Sequence, residues 1–311
     1  MESLLPTISL DSPSALLLLI PLAILATYLY FRTKATAALL SRCLGSMNKG
    51  PGLVDFVVKL LLLLLLVLLA SGPYLVFVKR VPVGLDSIDL VEEKGVVHVV
   101  LVDVSRSMSY SEGGSTRLHL ALTLLSAYLE RLGPNDRVAL GFFARSVNIS
   151  APLRVSEAEA LLSSAQAIHR YSALGDAMAA ALSYAKTVNA PVVVVLITDG
   201  AWNYGANPVD ISREYKDSKV PLVVVKVGED PRGRILSSVA DESNGKLFSL
   251  DEFSRDVVKD IAEDVRRTAR FAALKAKGEA YLEVKYKDYS PVTLITLAAL
   301  ALLLYSIRDG V

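Results

Sequence analysis

The sequence predicts an α/β fold: a doubly wound, mostly parallel β-sheet, with three transmembrane helices outside it. Three observations lead there. Between residues 95 and 270, short apolar runs rich in β-branched residues alternate with stretches of helical periodicity, the pattern of a sheet covered by helices on both faces. The run PVVVVLIT at 191–198 is apolar almost throughout, as in a strand buried on both sides. Finally, hydrophobic residues are 52% of the 311 and charged residues only 21%, and the apolar excess sits in uncharged segments near the two ends.

Those segments set the outer limits. Residues 14–31 (SALLLLIPLAILATYLYF) carry no charge, nor do 60–78 within a second span expected at 57–78, nor 289–307. Each is close to the ~20 residues that cross a hydrocarbon core as a helix. Leu60 to Leu69 is leucine except for Val67, worth about −5 kcal/mol toward insertion. The N-terminal MESLLPTISLDS has no Lys or Arg, which makes a poor signal peptide. The connection 32–59 carries Arg32, Lys34, Arg42, Lys49 and Lys59 against Asp55, so it is expected in the cytoplasm as a basic loop. The middle domain then lies on the extracytoplasmic side of a multi-pass cell-membrane protein. Residues 1–94 form an N-terminal membrane region, 95–270 the α/β domain, and 271–311 a linker strand and the last span. In the linker, EAYLEVKYK alternates Leu282, Val284 and Tyr286 with charges, which predicts a strand, paired with 81–91.

Within the middle domain, strands are expected at VVHVVLV (96–102), RVALGFFA (137–144), VNISAPL (147–153), PVVVVLIT, PLVVVKVG (221–228) and GKLFSL (245–250). The second and third form a hairpin through Arg145-Ser146. Helices are expected at RLHLALTLLSAYLERL, with Leu118, Leu122, Leu125 and Leu129 on one face, at SEAEALLSSA, DAMAAALSYAKTV, PVDISREYKD and GRILSSVAD, and from 251 to 270. The last presents Phe253, Val257, Ile261 and Val265 at four-residue spacing.

Charge excludes one class of partner. The chain has 33 basic and 32 acidic side chains, and residues 96–270 have 20 and 21, so there is no excess to neutralise phosphates and nucleic acid is not expected. Catalytic motifs are also missing: there is no P-loop, GxSxG, HExxH or GxGxxG. An aspartyl-nucleophile phosphatase would want an Asp two residues after Asp103, where Ser105 stands. A binding protein rather than an enzyme is expected. A metal-dependent hydrolase using the same cluster, and a structural subunit with no metal, are the alternatives.

Doubly wound sheets place ligands at the carboxyl ends of their strands. There, Asp103-Val104-Ser105-Arg106-Ser107 follows the first strand and Thr198-Asp199-Gly200 the fourth, with Ser172-Ala173-Leu174-Gly175 between them in sequence. Asp103, Ser105, Ser107, Ser172 and Asp199 offer two carboxylates and three hydroxyls. Hard oxygen donors suit Mg²⁺, with Mn²⁺ or Ca²⁺ also acceptable. Five short side chains leave one position for an Asp or Glu of another molecule.

At these residues the chain resembles von Willebrand factor type A (VWA) domains. DVSRSM is similar to their DxSxS signature, SALGDA to their TxxGxA loop with Ser172 in place of Thr, and ITDG to their last metal-site loop. The resemblance implies a Rossmann-like fold and a metal-ion-dependent adhesion site in which those five residues hold Mg²⁺ and a partner protein supplies a carboxylate. The layout of two spans, this domain, a strand and a last span resembles membrane proteins of the aerotolerance (Bat) type, a group associated with MoxR-type AAA+ ATPases. That implies membrane lipid around the spans, and sister VWA proteins or such an ATPase as partners.

The remaining polar residues have simpler readings. Asp176 is a first-turn helix acid, His98 is structural in a strand, His119 is on a helix surface, and His169 is a loop residue. Trp202 and Tyr204 serve equally well as an aromatic rim to the site or as local loop packing. Gly175 lets backbone pass close beneath the site.

Overall fold

The computed structural model describes residues 7–44, 53–91, 94–112, 114–167, 169–229, 231–250 and 254–308. The chain divides into two compact units, one of residues 1–81 with 283–311 and one of residues 82–282.

The first unit opens with strand β1 (Thr7–Leu10) and a 3-10 turn (Pro13–Leu18) that runs into helix α1 (Leu19–Leu44). The helix does not stop at the first basic residues. It carries Arg32 and Lys34 within it, so the expected basic loop begins as helix. Lys49 lies outside the described residues. Helix α2 (Leu53–Ser71) follows where the second span is expected, ending at Ser71 rather than at 78. Its apolar stretch among the described residues is Val57–Ser71, shorter than the two other apolar helices. Gly72 turns with φ +59°, Pro73 cannot continue a helix, and the β-branched and aromatic run after it becomes strand β2 (Pro73–Pro82). Two helical stretches, Pro13–Arg32 and Ser290–Ile307, are long and apolar enough to cross a membrane among the described residues.

The second unit starts with a 3-10 segment (Leu85–Val91) whose Ile88 and Val91 are buried. This is the stretch expected to pair as a strand. Its apolar residues are three apart, which suits a helical turn, and Asp89 accepts hydrogen bonds from Arg266 and Arg267 instead. Strand β3 (Val97–Asp103) is buried at every position. A short hairpin, β4 (Ser111–Glu112) with β5 (Ser115–Thr116), leads into helix α3 (Arg117–Leu129), where the Thr116 hydroxyl caps the helix by accepting from His119 N. Then come β6 (Arg137–Phe143), β7 (Val147–Ile149), α4 (Val155–Leu162), α5 (Leu174–Thr187), β8 (Val192–Thr198), α6 (Pro208–Ser218), β9 (Leu222–Val227), α7 (Ile235–Ser243), β10 (Lys246–Leu250) and α8 (Arg255–Ala276). β6 and β7 form the expected hairpin, with Phe143 opposite Val147. β7 is shorter than its sequence run, which after Ile149 contributes only a bridge between Leu153 and Val138.

The sheet has the order β10-β9-β8-β3-β6-β7 and is parallel except for β7. Alternation along the strands divides the core. In β3, Val100 and Val102 join α3, α4 and α8 on one face, while Val99 and Leu101 join α5, α6 and α7 on the other. Fully burying each such side chain contributes about 1.5–3 kcal/mol before chain entropy is counted. From β3 the chain moves outward to β6 and β7, then returns to the other side of β3 for β8. The order therefore reverses between β3 and β8, which is where such a sheet opens a crevice.

Helix α8 runs six residues past 270, and of its expected apolar face Val265 is buried and Ile261 packs against the core, while Val257 is not part of it. Val258, Ala262, Val265, Ala269 and Ala273 are buried, whereas Val257 is 38% exposed. Phe253 lies outside the described residues. The alanines let the helix sit close to the sheet. Its Arg270 is buried and gives two hydrogen bonds to Asp136 at 2.9 and 3.0 Å and two more to the carbonyls of Val91 and Lys94. His98 is structural as expected, with Nδ1 2.7 Å from the Tyr128 hydroxyl.

The chain then returns to the first unit through strand β11 (Tyr281–Asp288) and helix α9 (Ser290–Arg308). The linker is a strand as expected and pairs with β2, which overlaps the expected 81–91 segment only at Val81 and Pro82, giving a three-stranded sheet of order β1-β2-β11. Phe77 stacks on Tyr286 at 5.3 Å there, and Lys287 reaches Asp11 at 2.9 Å.

Candidate metal centre

Asp103 ends β3, and Thr198 ends β8 beside it. The register of this pair, Val102 against Ile197, brings the two strand ends level. The Thr198 hydroxyl donates to Asp103 Oδ2 at 2.7 Å and the Ser172 hydroxyl donates to the same oxygen at 3.1 Å. Asp103 Oδ1 accepts from Ser105 N at 2.8 Å, and the Ser105 and Ser107 hydroxyls are 3.1 Å apart. Four of the five expected residues are thus tied directly into one hydrogen-bonded cluster. Asp103, Ser105, Ser172 and Asp199 are all buried, and Ser107 is half-buried at the mouth.

Asp199 follows Thr198 at the end of β8. Its Oδ1 accepts from Ala201 N at 2.9 Å and its Oδ2 accepts from Arg117 Nη1 at 2.9 Å. Burial, and then the neighbouring charge of Asp199, push the Asp103 carboxyl up to about 6, although its bonds from Thr198 and Ser105 pull the other way. Two buried carboxylates, near enough for the charge of one to act on the other, with one internal guanidinium form a site still short of positive charge. The donor set is hard oxygen, small in reach and convergent, so the residues present fit a divalent cation of the Mg²⁺ type.

Backbone contacts fix the three loops against one another. Ser172 N donates to Asn203 Oδ1 at 2.9 Å, and Arg106 N donates to the His169 carbonyl while Ser105 and His169 form a parallel bridge. His169, expected as an ordinary loop residue, therefore braces the first loop through its backbone. Gly175 does what was expected of it: a Cβ there would lie 2.1 Å from the Ala206 carbonyl, so the 200–207 loop passes against it. Asp176 is a first-turn acid of α5, and its Oδ1 accepts from Ala206 N. Trp202 donates to the Tyr204 carbonyl, which is local packing, while Tyr204 itself is 41% exposed at the rim beside Tyr171.

Three contributors escape a reading of the sequence: Thr198, Arg117 and Asn203. Thr198 stood next to a named ligand. Arg117 left one trace, a cation in the first turn of a helix, where the dipole disfavours it unless an anion holds it. Asn203 gives no signal of its own.

Comparison with known proteins agrees with this architecture. No curated protein matches the chain. Among solved structures, an aerotolerance-related membrane protein from Bacteroides fragilis is 23% identical, with a TM-score of 0.47 over 56% of this chain and 100% of its own. BatB from Bacteroides thetaiotaomicron is 18% identical, with a TM-score of 0.48 over 57% and 100%. Proximal thread matrix protein 1 from the mussel byssus is 17% identical, with a TM-score of 0.50 over 75% of this chain and 55% of its own. The family model of the von Willebrand factor type A domain matches residues 99–264, more than half of the chain, and the chain belongs to that family.

Proposed function

We propose that this is a membrane-anchored VWA protein that binds a partner protein through a Mg²⁺-dependent adhesion site, within a multi-protein membrane complex of the aerotolerance and MoxR-associated type. The observation that carries the reading is the hydrogen-bonded oxygen cluster of Asp103, Ser105, Ser107 and Ser172 at the β3–β8 switch point, with the buried Asp199 near enough for its charge to act on Asp103. Asp103, Ser105, Ser107 and Ser172 would hold the cation, with Asp199 opposite. Bound there, a divalent ion supplies Lewis acidity toward an incoming carboxylate.

The chain's own groups account for the rest. Thr198 and Ser105 N orient the Asp103 carboxylate, and Arg117 orients Asp199 and neutralises much of its charge. A site with one carboxylate free and one paired leaves its cation net positive, which favours capture of an outside carboxylate. A general base for hydrolysis is not among the groups named in the cluster, so the reading is binding rather than turnover. The two apolar helices Pro13–Arg32 and Ser290–Ile307 would anchor the chain in lipid, with the VWA domain extracytoplasmic. Sister VWA proteins or a MoxR-type ATPase would be its partners.

The test is Mn²⁺ paramagnetic resonance on the full chain in lipid nanodiscs. One tight site, displaced by Mg²⁺ and lost in Asp103→Ala, is the expected result. No uptake by the wild-type chain overturns the proposal.

A further inference from the structure

The loops around the metal site carry a feature that metal binding does not need. Segments 104–110, 144–146, 163–173 and 200–207 contain Arg106, Arg145, His169 and Arg170 and not a single Asp or Glu. The domain around them is balanced, so the positive charge is local to this rim. The three arginines and His169 are exposed. Of the acids that flank these segments, Asp103 and Asp199 are buried in the site itself, Asp176 has a carboxylate oxygen accepting from Ala206 N, and Glu112 lies two residues beyond Tyr110.

Arg145 is held in place. Its guanidinium lies 5.6 Å from the Tyr171 ring and 5.5 Å from the Tyr204 ring, and the two rings are 5.4 Å apart. Each tyrosine comes from a loop of the candidate site: Tyr171 precedes Ser172, and Tyr204 N donates to the Ser172 carbonyl. The cation is thus preorganised beside the site by two aromatic faces, with its donors free to point outward. Arg145, His169, Gln166 and Asn148 also line a cavity of about 340 Å³, bounded below by Val104 and Phe142. The cavity adjoins Ser105 through the bridge to His169.

We propose that the rim formed by Arg145, Tyr171 and Tyr204, with Arg106 and Arg170, is a docking surface for an acidic protein segment that carries further carboxylates beside the one presented to the metal. This deepens, and rests on, the adhesion-site reading. Complementary charge is the argument for an acidic occupant. A guanidinium held by aromatic rings takes a second carboxylate in a fork of two hydrogen bonds, which sets the direction and register of the bound segment. Such a rim acts on specificity and on association rate, and its contribution is screened by salt.

The experiment uses the full chain in nanodiscs of zwitterionic lipid with two fluorescein-labelled Gly/Ser peptides. One probe has a single central Glu and the other has that Glu plus further Glu residues two and four positions along. In Mg²⁺ the multi-acid probe is expected to bind about tenfold more tightly, with the advantage shrinking in high salt. Arg145→Gln brings it down to the single-acid level. Arg145→Glu prefers a third probe whose flanking Glu residues are replaced by Lys, which shows a folded rim with its preference reversed. Equal binding of the first two probes, an advantage that survives in Arg145→Gln, or no binding of either probe overturns the docking surface. An advantage that needs Arg145 but persists in EDTA and in Asp103→Ala upholds the rim and overturns the metal reading alone. Arg145-dependent binding to phosphatidylglycerol vesicles without the peptide preference overturns the assignment of a protein segment.

Discussion

Arg117 sets a guanidinium nitrogen 2.9 Å from Asp199 Oδ2, and both side chains are buried. The arginine begins α3, placed there by the β4–β5 hairpin, while the aspartate follows β8, so the bond crosses two separate excursions of the chain. It supplies a positive charge exactly where the sheet's switch point gathers two carboxylates.

Removing that charge tests the arrangement. Arg117→Met keeps most of the side-chain volume but leaves Asp199 buried and unpaired beside Asp103. Breaking a buried pair in this way costs about 3–5 kcal/mol. A divalent ion should return part of that loss, because it neutralises the same carboxylates. Thermal unfolding of the variant in EDTA should therefore fall well below wild type, and Mg²⁺ should raise its midpoint by more than it raises the wild-type midpoint. An equal Mg²⁺ response in the two chains would show that Arg117 and the cation do not share a field.

A second buried pair lies at the opposite end of the strands. Burial tends to push the Asp136 carboxyl up, but His98 nearby, the charge of Arg270 and the bond from Val96 N outweigh it and hold the group at about 2. His98 Nε2 is 3.8 Å away, too far for a hydrogen bond, so its effect is one of charge and proximity. The folded value is below the unfolded one, about 3.9, so this aspartate stabilises the fold above that range. The contribution, about 2 kcal/mol, should be lost as pH falls from about 4 to about 2. Denaturant midpoints measured across that interval should decline in wild type. In Asp136→Asn they should start lower and lack this part of the decline.

Gly175 offers a steric test. An alanine Cβ would meet the Ala206 carbonyl at 2.1 Å, so the 200–207 loop must move or the helix must shift. Overpacking of this kind costs about 1–3 kcal/mol. The same loop supplies Asn203 Oδ1 to Ser172 N, so Gly175→Ala should lower Mn²⁺ affinity as well as the unfolding midpoint. A loss of stability with affinity intact would show that the loop moves without carrying Ser172.

The parallel sheet was legible because runs such as PVVVVLIT have no polar face to misplace, and the site was legible because its residues sit at strand ends, where topology alone brings them together. What escaped did so for physical reasons. On α8 the buried face mixes three alanines and Arg270 with Val258, Val265 and Leu274, so a search for large apolar residues at four-residue spacing follows Val257 instead of Val258. In the second apolar segment, leucine and aromatic runs are equally hydrophobic, and only Gly72-Pro73 marks where helix gives way to strand. The partner of β11 lies some two hundred residues away, and register across that distance leaves no local pattern. Arg117, from the first turn of α3, and Asn203, from the loop after β8, reach the site as single side chains outside any motif.

Thr198 separates orientation from ligation. Its hydroxyl donates to Asp103 Oδ2 at 2.7 Å and accepts from Gly200 N at 3.0 Å, so it aims the carboxylate and pins the loop that bears Asp199. Thr198→Val replaces the hydroxyl with a methyl of similar size. Asp103 then keeps Ser172 and Ser105 N as donors but loses its shortest bond, and Gly200 N is left without that acceptor. Groups that orient a ligand typically change metal affinity by about 10–100-fold when removed. Mn²⁺ titration of Thr198→Val should therefore show a retained but weakened site, in contrast to the complete loss expected for Asp103→Ala. An affinity equal to wild type would mean that the Asp103 carboxylate is held by its remaining partners, and that Thr198 serves only the β8 turn.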